Sequence, residues 1–222
     1  MIIAIDGPAA SGKSTVAKAV ARRLGVRHLD TGAMYRAVTW LALERGVSTG
    51  DAEALARIAE ENPVSFEYLS DGPIADVVRI AGHDVTTAVR TPDVDADVSA
   101  VSAVSAVREA LVARQRELAD ARDVVAEGRD IGTVVFPLAE VKVFLTASAQ
   151  ERARRRRIDL AGQGVEVDEA EVQARLERRD AYDSSREVSP LAAAGDATLL
   201  DTTGLTVEQV VDAIEALVEA RR

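Results

Sequence analysis

Gly7-Pro8-Ala9-Ala10-Ser11-Gly12-Lys13-Ser14 fits G-x-x-x-x-G-K-[ST] at every fixed position, and its surroundings are those the motif requires. The apolar run Ile2–Ile5 before it reads as a buried strand, ended by Asp6-Gly7-Pro8. From Lys13 onward Val16, Val20 and Leu24 recur at helical spacing, and Gly25 marks the stop. Glycines let such a loop curl so that backbone N–H groups face phosphate oxygens, and the following helix adds partial positive charge at its N-terminus. Lys13 then reaches the β- and γ-phosphates, and Ser14 holds Mg²⁺ by way of the nucleotide. The expected triphosphate site runs through Gly7, Pro8, Ala9, Ala10, Ser11, Gly12, Lys13, Ser14 and Thr15, with Lys13 on an exposed turn. The plainer alternative is a glycine-rich turn that happens to precede a helix. That alternative leaves strand, motif and helix as three coincidences. The motif is silent on what accepts the phosphoryl group.

Outward from this loop, short apolar strands alternate with helices. Val26–Leu29 reads as a strand ending at Asp30-Thr31-Gly32, and Ala33–Arg45 as an amphipathic helix with Val38, Leu41 and Ala42 inward. Ala52–Glu61 is a third helix. Val64–Leu69 and Ala75–Ile80 alternate like an antiparallel ribbon, with Asp71-Gly72-Pro73 between them and Ala81-Gly82-His83 after. Thr91 is read as an N-cap with Pro92 at the first helical position, and Ser99–Val107 (SAVSAVSAV) as local helix. Asp123–Ala126 and Val141–Leu145 are continuous apolar runs, as in a sheet covered on both faces. Ser148 with Glu151, Asp168 with Glu171, and Thr206 with Gln209 form capping pairs. Ala197–Leu200 is a last strand, and Val207, Val210, Val211, Ile214, Leu217 and Val218 are expected to face inward from the last helix. The pattern predicts an α/β fold with a parallel sheet.

The chain has 222 residues, 47% hydrophobic and 29% charged, which suits a folded domain. Its net charge of −10 argues against wrapping a nucleic acid, while leaving room for a local anion pocket. With 0 Cys and 2 His, thiolate zinc sites, cysteine nucleophiles and multi-histidine cages are excluded. No run approaches the ~18 apolar residues of a membrane span. The opening MIIAIDG lacks the basic region and cleavage site of a secretory signal, so a cytoplasmic location is expected. Lys13, Lys18 and Lys142 are the lysines of a chain that otherwise uses arginine, which sets Lys13 apart.

Three further segments carry charge where ligands of parallel sheets lie, beyond the carboxyl ends of strands. Arg36 follows Asp30-Thr31-Gly32; alone, it would read as a solvated arginine behind an N-cap. Arg129 and Asp130 are bracketed by Gly128 and Gly132; a surface ion pair is the bland reading. Arg152, Arg154, Arg155, Arg156 and Arg157 crowd one helical segment, and Arg178, Arg179, Asp183 and Arg186 follow one helix later. Such a run is normally a solvated face with salt bridges. In an acidic chain, like charges packed this closely repel unless an anion answers them. The first cluster is therefore expected to be a lid, mobile without nucleotide and ordered with it.

Taken together, DGPAASGKS (Asp6–Ser14), DTGAMYR (Asp30–Arg36), VREAL with QR (Val107–Leu111, Gln115-Arg116), EGRDIGTVVFP (Glu127–Pro137) and RRDAYDSSREVSPL (Arg178–Leu191) resemble the bacterial cytidylate kinases. The resemblance covers most of the chain in the expected order. It implies one P-loop kinase domain over 1–222: a sheet of about five parallel strands flanked by helices, with core segments 1–30, 100–150 and 186–222. An insert with a small β-ribbon, 31–99, would bind the monophosphate, and 151–185 would form the helical lid. It implies ATP, CMP and dCMP as substrates, Mg²⁺ as cofactor, a monomer, and no nucleic-acid or membrane partner. The 5′-phosphate would be held by Arg36, Arg129 and Arg186, the base read by Ser99, Arg108 and Asp130, and the ribose by Arg179 and Asp183. Thr31 and Tyr35 would line the same site, and Arg154 would act from the lid beside Lys13, Arg129 and Arg186. Two rivals stay open on the residues alone: a P-loop kinase for another small acceptor, such as shikimate or a different nucleotide, and a nucleotide-sensing switch. The Arg129/Asp130 pair and the second arginine cluster disfavour the first. A switch needs no second arginine set.

Overall fold

A computed structural model describes residues 1–68, 72–120, 122–162 and 164–222. In chain order the elements are β1 (Ile2–Asp6), α1 (Lys13–Leu24), β2 (Arg27–Asp30), α2 (Thr31–Glu44), α3 (Ala52–Glu61), β3 (Ser65–Glu67), β4 (Val77–Ile80), β5 (His83–Asp84), α4 (Pro92–Val101), α5 (Ser105–Ala119), β6 (Val124–Gly128), β7 (Val141–Thr146), α6 (Ala149–Gly162), α7 (Glu169–Ser184), β8 (Thr198–Asp201) and α8 (Val207–Glu219). A single 3₁₀ turn spans Ala88–Arg90 and a π-helical turn Ile131–Val135. Five strands make a parallel sheet in the order β2-β6-β1-β7-β8, and three make a small antiparallel sheet in the order β3-β4-β5. The α/β reading holds.

The chain divides into two units. The first joins Met1–Val20 to Glu127–Arg222. In it β1 pairs in parallel with β7, Ile3 to Asp6 lying opposite Val141 to Phe144, and β7 pairs in parallel with β8. Ile3, Ile5, Val143 and Leu145 are buried, as their continuous apolar runs require of strands covered on both faces. From α8, Val210, Val211, Ile214 and Val218 are buried. Val207 instead stays 44% exposed, and Glu208 and Gln209 beside it in the first turn of α8 are exposed too. β8 is an edge strand, with Leu199 exposed.

The second unit, Ala21–Ala126, carries α2 to α5 and the small sheet. The ribbon forms as expected between Ser65–Glu67 and Val77–Ile80, but a third strand follows it. Ala81 and Gly82 both take positive φ, 49° and 80°, and turn the chain so that His83 pairs with Ile80. A two-residue strand is too short to show alternation in sequence. Leu69 and Asp71, the expected strand end and turn residue, lie outside the described residues.

The caps divide. Asp30 Oδ1 accepts the N–H of Ala33 and opens α2; Asp168 accepts from Ala170 and Glu171 and opens α7. Thr206 and Gln209 form both halves of a capping box on α8. Thr91 stands at the N-cap position with Pro92 at N1, yet its hydroxyl donates to Ala88 O at 3.0 Å rather than capping. Ser148 Oγ accepts from Glu151 N, but the Glu151 carboxylate turns to Arg154 and Arg155. Ser99–Val107 is not one helix: α4 ends at Val101 and α5 starts at Ser105. Thr206→Ala removes both side-chain and box geometry from α8 and should lower unfolding free energy by about 1 kcal/mol in urea titrations.

Candidate active site

In the first unit the loop between β1 and α1 takes three positive φ angles, at Gly7 (150°), Ala10 (59°) and Gly12 (90°). At Gly7 the backbone of β7 comes so close that an added Cβ would lie 2.1 Å from Leu145 O. No side chain fits there, which is the physical content of the first motif glycine. Ser11 is fully buried, and Ser14 and Thr15 are exposed at the loop's exit.

Lys13 is not on an exposed turn. It is 6% exposed, and its ammonium donates to Pro8 O at 2.5 Å and to Ser11 Oγ at 3.4 Å. Burial pushes its pKa well below the usual lysine range, helped by the charge of Arg129 and opposed by Glu127, Asp6 and Asp180. An ammonium held this way gains most from an arriving polyphosphate. Ser14 Oγ donates to Glu127 Oε2 at 2.6 Å. Glu127 is the next-to-last residue of β6 and is buried; its place near a strand's carboxyl end is the signal that could have found it. Among the described residues no group of three or more His, Asp or Glu could enclose a metal ion. A hydroxyl with a carboxylate behind it still suits Mg²⁺, which takes few protein oxygens and completes its octahedron with phosphate and water.

Two of the arginines predicted to meet phosphate converge on one carboxylate. Asp183, 2% exposed on α7, accepts from Arg129 Nε at 3.3 Å and from Arg186 Nη2. Arg186 also lies over the Tyr182 ring at 5.8 Å. Asp130, next to Arg129 in sequence, is buried, and Arg179 is half-buried on α7. Buried Asp183 thus fixes the two guanidinium groups in place.

Carboxylates answer the Arg152–Arg157 cluster too, so an anion is not its sole counter-charge. Arg152 pairs with Asp180, Arg154 and Arg155 share Glu151, and Arg157 pairs with Glu169. The Arg154 and Arg155 guanidinium groups hold the Glu151 carboxyl at about 2. Arg154, singled out in sequence, points this way and is half-exposed. Its neighbours touch the loop. Arg152 Nη1 donates to Ala9 O at 3.2 Å, and Asp180 Oδ1 accepts from Ala9 N at 3.1 Å. Arg155 Nη1 donates to Ser11 O at 3.4 Å and to Thr202 Oγ1 at 2.9 Å. Ala9, Ala153, Val172 and Leu176 pack together, so α6 and α7 seat on the loop's tip. Helical periodicity had marked the arginines as a cluster without showing which ones face the loop.

In the second unit Thr31 and Tyr35 are buried on the first turns of α2. Arg108, 3% exposed, lies over the Tyr35 ring at 5.2 Å and donates from Nη1 to Ser102 O at 3.1 Å. Ser102 Oγ in turn donates to Ser99 O at 3.1 Å. The break between α4 and α5 therefore links Ser99 to Arg108. Arg36 donates to Val89 O at 3.1 Å and to Asp95 Oδ1 at 2.5 Å, with part of its side chain open to solvent.

The family model for cytidylate kinase matches residues 3–220. The chain belongs to the cytidylate kinase family. A cytidylate kinase of Enterococcus faecalis (strain ATCC 700802 / V583) is 50% identical over 219 residues, 99% of this chain and 96% of that relative. A bifunctional pantoate ligase/cytidylate kinase of Synechococcus sp. (strain CC9311) is 52% identical over 221 residues, 99% of this chain and 44% of that relative. The chain thus spans less than half the length of such bifunctional relatives. Among solved structures, an uncharacterized protein from Eubacterium ventriosum ATCC 27560 superposes with a TM-score of 0.53 at 14% identity, covering 99% of this chain and 98% of that one. That likeness concerns the fold alone. No helix among the described residues is long and apolar enough to cross a membrane.

One member of the family's DGP stretch stands out electrostatically. Asp6 is buried at the end of β1, and burial pushes its carboxyl up to about 6, against two backbone N–H bonds that pull it down. A carboxyl with a raised folded pKa contributes stability that is present below its unfolded value near 3.8 and lost as pH rises through about 6. Wild type should therefore lose about 2 kcal/mol relative to Asp6→Asn between pH 4 and 6.5. Urea unfolding of both proteins across that range reads the difference. Parallel pH profiles would contradict it.

Proposed function

We propose that the chain phosphorylates CMP and dCMP from ATP with Mg²⁺, by direct transfer in a site closed by α6 and α7. The observation that carries this reading is the match to the cytidylate kinase family over residues 3–220, in a chain whose P-loop and Arg129–Asp183–Arg186 group belong to one unit. Coverage of 96% of an E. faecalis relative named cytidylate kinase supports assigning the part shared with the bifunctional relatives to their kinase half.

The acceptor phosphate is already an anion, so transfer needs no general base, and positioning with charge neutralisation suffices. Gly7 to Thr15 cradle the triphosphate. Lys13 meets its β- and γ-phosphates; Arg154 adds lid charge, with Arg152 and Arg155 nearer the loop. When bound through Ser14, with Glu127 behind, Mg²⁺ supplies neutralisation of phosphate charge. Arg36, Arg129 and Arg186 hold the 5′-phosphate of the acceptor; Arg179 and Asp183 hold its ribose, and Thr31 and Tyr35 line the pocket. Cytosine offers an amino donor beside ring acceptors, so Asp130 accepts from N4 while Arg108 and Ser99 donate to the ring. Uracil puts a carbonyl where the amino group was and leaves the carboxylate unpaired. Closure excludes water as a rival acceptor. We further infer, from its net charge of −10, that it acts on small molecules and not on nucleic acid; a cytoplasmic monomer without membrane partners is what the family resemblance implies.

A coupled assay for ADP release across nucleoside monophosphates tests the whole reading, with CMP and dCMP expected to lead. Comparable rates on shikimate or on purine monophosphates would overturn it. Lys13→Ala should abolish most transfer. Because Lys13 is buried, circular dichroism must accompany the assay, and near-normal turnover by the folded variant would refute the loop's role. Asp130→Asn can donate to uracil O4 while losing charge assistance toward cytosine. Its kcat/KM ratio for CMP over UMP should fall about tenfold or more, for ~1–3 kcal/mol of discrimination. Equal losses on both substrates would take base reading away from Asp130.

A further inference from the structure

We propose that Asp6 is a positioning residue for the acceptor: it pins the Arg129–Asp130 turn to the strand that delivers the phosphate loop. This rests on the reading above, in which Arg129 meets the acceptor phosphate and Asp130 its base. Asp6 takes no part in the transfer itself.

The geometry is a two-pronged clamp. Asp6 Oδ1 accepts the N–H of Ile131 at 2.8 Å, and Oδ2 accepts the N–H of Gly132 at 2.8 Å. These are the first two N–H groups of the Ile131–Val135 turn, and a helix start has no internal acceptors for them. The far side of the turn folds back on Asp130, whose carbonyl accepts from Val134 N at 2.9 Å and Val135 N at 3.1 Å. Asp130 is thus bonded to the turn, and the turn to Asp6. Arg129 lies one residue further back, with its Nε on Asp183. Slack is small on the clamped side: a Cβ at Gly132 would lie 3.2 Å from Lys142 Cδ and 3.5 Å from Asp6 Oδ2.

A carboxylate is suited to this task in a way that neutral side chains of its size are not. Asn offers one acceptor oxygen and would turn its NH₂ toward the second N–H, and Ser reaches a single donor. Holding a buried charge at residue 6 costs stability near neutral pH, as its raised pKa shows. A turn that served packing alone could be capped without that charge. A turn carrying both a phosphate-binding arginine and a base-reading aspartate needs its position fixed closely, since small displacements of a bound acceptor cost rate.

The test is a double-mutant cycle of Asp6→Asn and Asp130→Asn, with kcat and KM measured for CMP, UMP and ATP. For Asp6→Asn we expect kcat/KM for CMP to drop about tenfold, KM for ATP to stay within about twofold, and the CMP-to-UMP ratio to fall. In the double variant that ratio should be within about twofold of Asp130→Asn alone, because both changes act through one group. Equal rises in KM for ATP and CMP with an unchanged ratio would reduce Asp6 to a general structural role and overturn the proposal. Multiplying effects in the double variant would overturn it as well. If Asp130→Asn alone leaves the ratio unchanged, the base-reading assignment fails, and the split between KM for CMP and for ATP still decides Asp6 through Arg129. Should Asp6→Asn not fold, amide hydrogen exchange on the wild type decides. Ile131 and Gly132 should exchange as slowly as Val134 and Val135, and loop-like exchange at the first two would overturn the clamp.

Discussion

Residue 7 has no room for a side chain. With Leu145 O where a Cβ would have to go, the backbone after β1 meets β7 at closest approach, and the phosphate loop is built from that contact. It aims the chain so that α1 starts at Lys13 and the Lys13 ammonium is drawn inward to Pro8 O. It leaves Ala9 at the tip, where α6 and α7 close on it with both a hydrogen-bonded pair and a small apolar cluster. Tight backbone approach is the requirement, and glycine is the residue that satisfies it.

Charge is organised around this loop in matched sets. Lys13 is buried among Glu127, Asp6 and Asp180; Arg129 and Arg186 share Asp183, and Arg152 has Asp180. Within the second unit, Arg36 has Asp95. A buried guanidinium without a partner would be strongly destabilising, and each of these arginines has a carboxylate within the protein. The same pairing holds the fork in a fixed direction, and arginine retains further N–H groups for an incoming anion. The net charge of −10 is consistent with this arrangement: acidic side chains are what keep so many arginines in ordered places.

The sequence by itself determined the phosphate loop, the alternation of buried strands and helices, and the family. These are local properties. A G-x-x-x-x-G-K-S octapeptide between an apolar run and a helical pattern has one good reading, and continuous runs such as Val141–Leu145 bury on both faces wherever they sit. Caps formed by a neighbouring side chain, as at Asp168 and Thr206, were legible for the same reason.

Tertiary structure decided everything that depends on distant neighbours. Thr91 looks like a cap, but its hydroxyl donates to Ala88 O; Val207 looks apolar and inward, but the first turn of α8 is exposed. The small-residue stretch Ser99–Val107 reads as local helix, and its break appears only where Ser102 bridges Ser99 and Arg108. Periodicity could cluster Arg152 to Arg157 but could not tell that Arg152 and Arg155 reach the loop while Arg154 turns to Glu151. Asp6, 125 residues from Ile131 in sequence, was read as punctuation before a turn. Its partners are backbone N–H groups, which every residue but proline carries, so no residue type at the far end could have announced the contact.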